Sequence, residues 1–531
     1  MPNPPTRGYD ARLGSGLVPT KCCPRLVPAL IAVVLLVSAC TGDPAPPASG
    51  DPAGTSLVIA VADEPAELNP LDGYAEHGAA KIFEGLVEHD ADSSLRPALA
   101  ADLPEPSADG RTWTVKLRPG VTFTDGTPFE AADVVATYRA MLAPANRSPV
   151  RQRFAMLKSV TALDQATVEF TLSAPYAPFA DLLVLGVLPS ESLSGGAAPE
   201  PIGTGPYTLT DWQHGRKMEL AANKDYWDGA PAIKKVTIEF IADDDTRAER
   251  LRDGKLDGAA LPADLAKEFD NADGLRVVSH SAADMRAVVL PAEGPVTGDA
   301  AVRLALNHAV DREQMVTDVL AGQGSVAYTP MPRVLAEFVE PDASYDYDIT
   351  NALDQLESSG WVTGTDGIRV KGKTAARFTL HYLAGDTVSA GLAEAFATNA
   401  RSIGVQVDLE PVGAGAMTGA MVAGFGNPFD PDLALYDLLR SGETALGGSV
   451  NETVDAALDT GRSSTDPAQR ATAYRRLQRA YVTAPGMVVL VEPNHTYVMR
   501  ESWDGYEPVV DGRGPSMSWG AWWNLEKWTP R

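Results

Sequence analysis

Cysteine is nearly missing from this chain. Its 531 residues include three, Cys22, Cys23 and Cys40, and none follows position 40. The body therefore holds no internal disulfide, no cysteine-ligated metal and no thiol nucleophile. Basic charge is also short: 44 Lys and Arg face 70 Asp and Glu, a formal net charge of −26. The first 39 residues are locally +3, which leaves −29 for the rest. So acidic a chain repels a phosphate backbone, which excludes nucleic acid as a partner. Histidine occurs seven times, scattered at 77, 89, 214, 280, 308, 381 and 495, without an H-E-x-x-H pair. No G-x-S-x-G nucleophile elbow is present. Nothing in the sequence implies a metal, a cofactor or a catalytic constellation.

What is present begins at the N-terminus. Lys21 and Arg25 precede an apolar run from Leu26 to Val37, interrupted by Pro28. The run is too short for a membrane span of about 20 residues. It reads as an export signal over 1–39. The ending Val37-Ser38-Ala39-Cys40 resembles the lipobox of bacterial lipoproteins, which implies a lipid on Cys40 and anchorage to the outer face of the cell membrane. Residues 40–54, rich in Pro, Ala, Ser and Gly, read as a flexible tether.

A length of 531 residues exceeds what one core serves, so at least two lobes are expected. Strand and helix patterns mix throughout. Ser56 to Val61 reads as a buried strand, and Thr112 to Leu117 alternates like a half-buried one. Val302 to Leu320 carries apolar residues at helical spacing and predicts one long helix ending at Gly322. No internal repeat separates the halves. The fold class is α/β. Gly367 to Thr374 matches the G-x-x-x-x-G-K-T phosphate-loop pattern letter for letter. A turn stands before it and alternation runs inside and after it, so a hairpin is expected instead. Asp243, Asp244 and Asp245 precede a helix pattern and read as a cap, not a metal site.

Leu117 to Val135, with Arg118-Pro119-Gly120 and Asp125-Gly126-Thr127-Pro128-Phe129, resembles the signature of the family-5 extracellular solute-binding proteins. Four further blocks match in order: Phe83-Glu84-Gly85-Leu86; Gly203 to Tyr207 with Asn223 and Asp225-Tyr226-Trp227; Val302-Arg303 to Asp311-Arg312-Glu313; and Tyr345 to Asp348 leading to Gly360-Trp361. These blocks are read as scaffold, with Gly203 and Gly205 allowing a tight turn and Tyr226 and Trp227 as core anchors. The resemblance implies a two-lobed, periplasmic-binding-protein-like α/β fold with an extra subdomain in the first lobe and a ligand cleft between lobes. The expected division is 55–84 lobe I, 85–199 extra subdomain, 200–281 lobe I, 282–484 lobe II and 485–531 lobe I, with hinges near Ser281 and Ala484.

The same resemblance implies a monomeric receptor, not an enzyme. It would capture a small ligand, a short peptide foremost, and deliver it to the permease of an ABC transporter. Haem, nickel, a glycan or an envelope component, with a regulatory role, are the alternatives. In the peptide binders three backbone segments pair with an extended ligand. Here they align near Asp72, Gly73 and Tyr74; near Tyr436, Asp437, Leu438 and Leu439; and near Glu492, Pro493, Asn494 and His495. The sequence departs from the pattern in one respect. The position of the family's ammonium-pairing carboxylate is Ser441, and the neighbouring tryptophan position is Leu438. Asp437 or Glu492 is left to supply the charge that a buried ammonium needs.

Overall fold

The computed structural model describes residues 54–78, 80–194, 201–442, 451–514 and 519–531. Cys40, the signal segment and nearly all of the tether lie outside the described residues.

Two mixed sheets organise the two-lobed fold. The first has seven strands in the spatial order Leu275–His280, His495–Arg500, Gly258–Leu261, Ser56–Val61, Lys235–Phe240, Lys217–Ala222 and Tyr207–Gln213. Ser56–Val61 is central and pairs in parallel with both neighbours. A strand covered on both faces reads as a near-continuous apolar run. Leu57 and Ile59 enter one core, and Ala60 enters another on the opposite face. The second sheet has six strands, in the order Gly324–Val326, Met487–Pro493, Met285–Val289, Ala420–Phe425, Arg377–Leu383 and Gln406–Val412. Every residue of Met487–Pro493 is buried. Met487 and Val489 pack into one apolar layer, Val488 and Leu490 into the other.

The chain leaves the first sheet after His280 and enters the second at Met285. It returns between Pro493 and His495, not near Ala484. Ala484 only caps the C-terminus of helix Pro467–Thr483. The valine-rich run that follows is long enough to build a strand of the second sheet before the chain crosses. Within residues 85–199, the short strands Glu105–Pro106, Thr112–Lys116, Thr167–Leu172 and Leu157–Asp164 form a four-stranded sheet beside helix Ala131–Leu142. Its buried residues are continuous with the first lobe's core.

The long helix expected over Val302–Leu320 is two helices, Ala300–Ala309 and Arg312–Asp318. Asp311 divides them: it takes extended backbone and its carboxylate accepts from the Gln314 amide at 2.9 Å. Apolar spacing continues across such a break, so periodicity alone missed the cap. The phosphate-loop lookalike is a small three-stranded meander of Val362–Thr363, Arg369–Lys371 and Thr374–Ala375, with Gly367 and Gly372 at left-handed turns. Asp243 caps helix Asp244–Arg252 by accepting from the Thr246 amide at 2.8 Å.

The recognisable sequence blocks meet in space. The Glu84 carboxylate accepts from the Tyr226 hydroxyl at 2.7 Å and the Trp227 indole at 2.9 Å. The Arg118 guanidinium covers the Trp227 ring at 4.1 Å. Tyr226 and Trp227 are only half-buried, so this polar node anchors them rather than full enclosure in the core. Gly203 and Gly205 serve close approach, not a tight turn: a Cβ on Gly203 would lie 2.1 Å from the Ile82 carbonyl oxygen. In the second lobe the buried Arg312 donates to the Ala327, Val489 and Asn307 carbonyl oxygens at 2.8–2.9 Å and to Asn307 Oδ1 at 3.0 Å. Its plane lies over Tyr328 and Tyr345. Burial lowers its pKa to about 10, so it is charged at neutral pH and held by neutral dipoles. Replacing Arg312 by Leu strands these carbonyls. Urea unfolding is expected to show a loss of about 3 kcal/mol, and a loss below about 1 kcal/mol contradicts the stitching role.

Candidate functional site

The three predicted ligand segments have different fates. Asp72, Gly73 and Tyr74 end a single turn, Pro70–Asp72, capped by Asn69, whose side-chain oxygen accepts from the Leu71 amide at 3.0 Å. Gly73 sits at φ 97°, where a side chain is strained. Tyr74 meets Phe83 edge-on at 6.1 Å, and burial raises its phenol pKa. Tyr436, Asp437, Leu438 and Leu439 are helical, in the last turn of Pro431–Leu439, not an extended segment. Asp430 starts that helix by accepting from the Asp432 amide, and Pro431 suits its first position. Leu438 and Leu439 are buried in a core of the second lobe, Asp437 is exposed, and the Tyr436 hydroxyl donates to Asp459. Glu492, Asn494 and His495 lie at the return crossing. Among the described residues, no hydrogen bond, ion pair or ring contact joins the three segments to one another.

His495 is committed to the crossing itself. Its ring nitrogens lie 3.4 Å from Asp284 Oδ2 and 3.3 Å from Asp511 Oδ2. The same Asp511 oxygen accepts from the Tyr497 hydroxyl at 2.7 Å and lies 3.3 Å from His280 Nδ1. The backbone joins in: the Asp511 amide donates to Ser281 O and the Ala283 amide donates to Asp511 O. Asp284 is held by both ends of the Arg286 guanidinium at 2.8 and 2.9 Å, and Arg286 also reaches Asp386 at 3.2 Å. Burial opposes charge on Asp511, but the two imidazoles outweigh it and hold the carboxyl well below its usual range. Burial likewise opposes charge on His495, and the carboxylates of Asp284 and Asp511 raise it to about 9. Glu492 is different. Burial raises it to about 7, with only the Arg333 amide at 3.0 Å and the Arg333 guanidinium at 3.8 Å to counter this.

A second set of contacts bridges the lobes away from the crossings. The strand Ala420–Phe425 ends at Gly426, whose Cβ would lie 2.1 Å from the Ala283 carbonyl oxygen. Beyond it, Phe429 stacks on His89 of the first lobe, with centroids 3.5 Å apart and planes 10° apart, while His77 lies at 6.3 Å. Asp432 accepts from the first lobe's Tyr176 hydroxyl at 3.0 Å and pairs with Arg462 at 2.9 and 3.0 Å. The Ala177 amide donates to Arg462 O at 2.8 Å, and Leu433 packs on the first lobe's core. The sequence reading passed over His77, His89, Tyr176 and Phe429. Phe429-Asp430-Pro431-Asp432 was the available signal, an aromatic ahead of a proline-started helix.

Residues 94–445 match the profile of the bacterial extracellular solute-binding proteins, family 5. The chain belongs to the family-5 solute-binding proteins. Protein XP55 of Streptomyces lividans is 43% identical over 88% of this chain and 89% of its own. The oligopeptide-binding protein AppA of Bacillus subtilis is 27% identical over 94% of this chain and 97% of its own. The Campylobacter jejuni NikZ structure, in complex with Ni(L-His), superposes with a TM-score of 0.80 at 27% identity, over 90% of this chain and 99% of that one. A family-5 protein captures a small solute outside the cytoplasm and delivers it to an ABC transporter. The double crossing and the bridged seam are what such capture by two lobes requires. Among the described residues no helix is long and apolar enough to cross a membrane, and no group of three or more His, Cys, Asp or Glu could hold a metal ion.

The titrating groups of this family-5 protein set its pH dependence. His495, raised from 6.5 to about 9, contributes stability below about pH 6.5 that is lost as pH climbs through 9. Glu492 and Glu84, both raised by burial from 4.5 to about 7, lose their contribution as pH rises from 4.5 to 7. Asp511 and Asp284, both lowered, act in the opposite sense and lose theirs only below about pH 4. Urea unfolding is expected to give maximal stability at about pH 4–5 and a steady fall to pH 9. Glu492→Gln flattens the lower part of that fall. Stability that rises from pH 5 to pH 9 contradicts this assignment.

Proposed function

We propose that this family-5 protein is a peptide receptor. It binds a short peptide between its lobes, stands on the outer face of the cell membrane through a lipid on Cys40, works as a monomer with an ABC permease, and makes or breaks no bond in its ligand. The observation that carries the reading is the seam. Contacts such as Phe429 on His89 and Asp432 on Tyr176 can form only when the lobes are together, so ligand capture and lobe closure are one equilibrium. The peptide choice is supported by AppA, which is alike over nearly the whole chain and whose solved structure holds a nonapeptide. We assign residues 282–493 to the closing lobe, the first lobe to 55–84, 200–281 and the residues from 495 on, and 85–199 to its extra subdomain. Asp72, Gly73 and Tyr74 belong to the first lobe's ligand-facing wall. Glu492, buried and with only the exposed Arg333 guanidinium beside it at 3.8 Å, is the carboxylate proposed to meet a ligand ammonium. Asp437 is exposed on its helix and is set aside for that role.

A nickel–histidine ligand is the second reading. His77 and His89 both approach Phe429 at the seam. The nickel-binding periplasmic protein of Escherichia coli is 32% identical over 62% of this chain, and NikZ holds Ni(L-His).

Thermal unfolding with a mixed tri- to nonapeptide pool is expected to raise Tm by several degrees at saturation. Phe429→Ala, which removes the seam stack, is expected to weaken peptide affinity about 2- to 10-fold. A shift with nickel and histidine but none with peptides overturns the peptide reading in favour of the second.

A further inference from the structure

The second lobe holds an open hollow of about 580 Å³, between helix Pro467–Thr483 and the loop 333–341. Three arginines line it, Arg333, Arg475 and Arg479, against one carboxylate, Glu340. This local excess of positive charge stands on a chain of net charge −26. Thr472, Arg475 and Arg479 share one face of the helix by their three- and four-residue spacing. None of these residues takes part in the contacts that bridge the lobes.

The hollow is built rigidly. Gln478, on the same helix and buried, ties both walls together. Its side-chain oxygen accepts from the Glu340 amide at 3.1 Å, and its nitrogen donates to the Phe338 carbonyl oxygen at 2.7 Å. Each guanidinium spends one nitrogen on the protein: Arg475 on the Glu337 carbonyl oxygen, Arg479 on the Glu340 carboxylate, Arg333 beside Glu492. A guanidinium offers five N–H donors from three nitrogens. The other nitrogens of all three have no partner among the described residues. Ala336, Val339 and Pro341 add apolar lining on the loop side.

We propose that this hollow is a binding site for an organic phosphate, away from the contacts that bridge the lobes. Three guanidiniums on two walls supply the forked N–H donors that the three terminal oxygens of a phosphate monoester accept. The volume exceeds what a bare phosphate fills, and the apolar lining takes the ester group. Two sources share that chemistry, a free small phosphate monoester and the monoester headgroup of a lipid such as phosphatidic acid.

Calorimetric titration of the full chain carrying Cys40→Ser, so that no acyl anchor intervenes, uses phenyl phosphate as the probe and inorganic phosphate as the control. Phenyl phosphate is expected to bind more tightly than inorganic phosphate, and at least 5-fold more weakly in 500 mM than in 50 mM salt. The double variant Arg475→Ala/Arg479→Ala is expected to weaken it at least 10-fold, with Arg475→Lys/Arg479→Lys intermediate. Flotation with phosphatidic acid vesicles, but not with phosphatidylglycerol or phosphatidylcholine vesicles, that depends on the same arginines identifies the lipid source. Phenyl phosphate binding without flotation identifies the free ester. The site is overturned by absence of binding to both phenyl phosphate and phosphatidic acid, or by binding that the double alanine variant leaves unchanged while its melting curve matches that of the parent.

Discussion

One carboxylate holds the two lobes to their shared axis. Asp511 comes from the C-terminal tail, yet it meets His280 and Tyr497 of the first sheet, His495 at the return crossing, and the backbone of Ser281 and Ala283 at the outgoing one. A buried negative charge is costly unless every lone pair finds a donor. Here the Tyr497 hydroxyl donates to one of its oxygens, and two imidazole nitrogens lie 3.3 Å from the same oxygen. The fold therefore brings three distant stretches of chain to a single point, and that point lies where the lobes connect. Two crossings fastened side by side permit rotation about one line and resist twisting about others, which is what opening and closing about a hinge demands.

The cores explain why the bending is localised there. The second lobe has an apolar layer on each face of its sheet, and the first lobe has its own two. Among the described residues, Leu433 alone reaches from the second lobe into the first lobe's large core as a partly buried side chain. Apolar burial is thus spent mainly within lobes, and the seam is closed by polar pairs and one ring stack. Such contacts re-form with water at modest cost when they open. Large apolar faces would not, so the partition of apolar and polar contact separates what stays rigid from what moves.

Much of the scaffold was legible in the sequence, because alternation, caps and glycine signals are local. The strand Ser56–Val61, the capped aspartates at 243–245 and the meander in place of a phosphate loop all followed from short windows. The errors have physical causes. Asp311 broke a helix whose apolar spacing ran on unbroken. The return crossing moved ten residues beyond Ala484 because a helix cap and a strand end both look like boundaries. The second segment is helical rather than extended because Asp430-Pro431 begins a helix, and its loop neighbour Phe429 faces the other lobe. The seam and the Asp511 knot were invisible for another reason. Their partners lie tens to hundreds of residues apart, and no window of sequence holds both sides.

The first lobe's core joins Leu57 and Ile59, near the start of the described chain, to Trp522, Leu525 and Trp528, at its very end. The Gly258 position is pressed directly against Trp522. That core cannot be completed until the last dozen residues have been delivered. Synthesis runs from the N-terminus, so the first lobe stays unfinished until Trp522, Leu525 and Trp528 have been made.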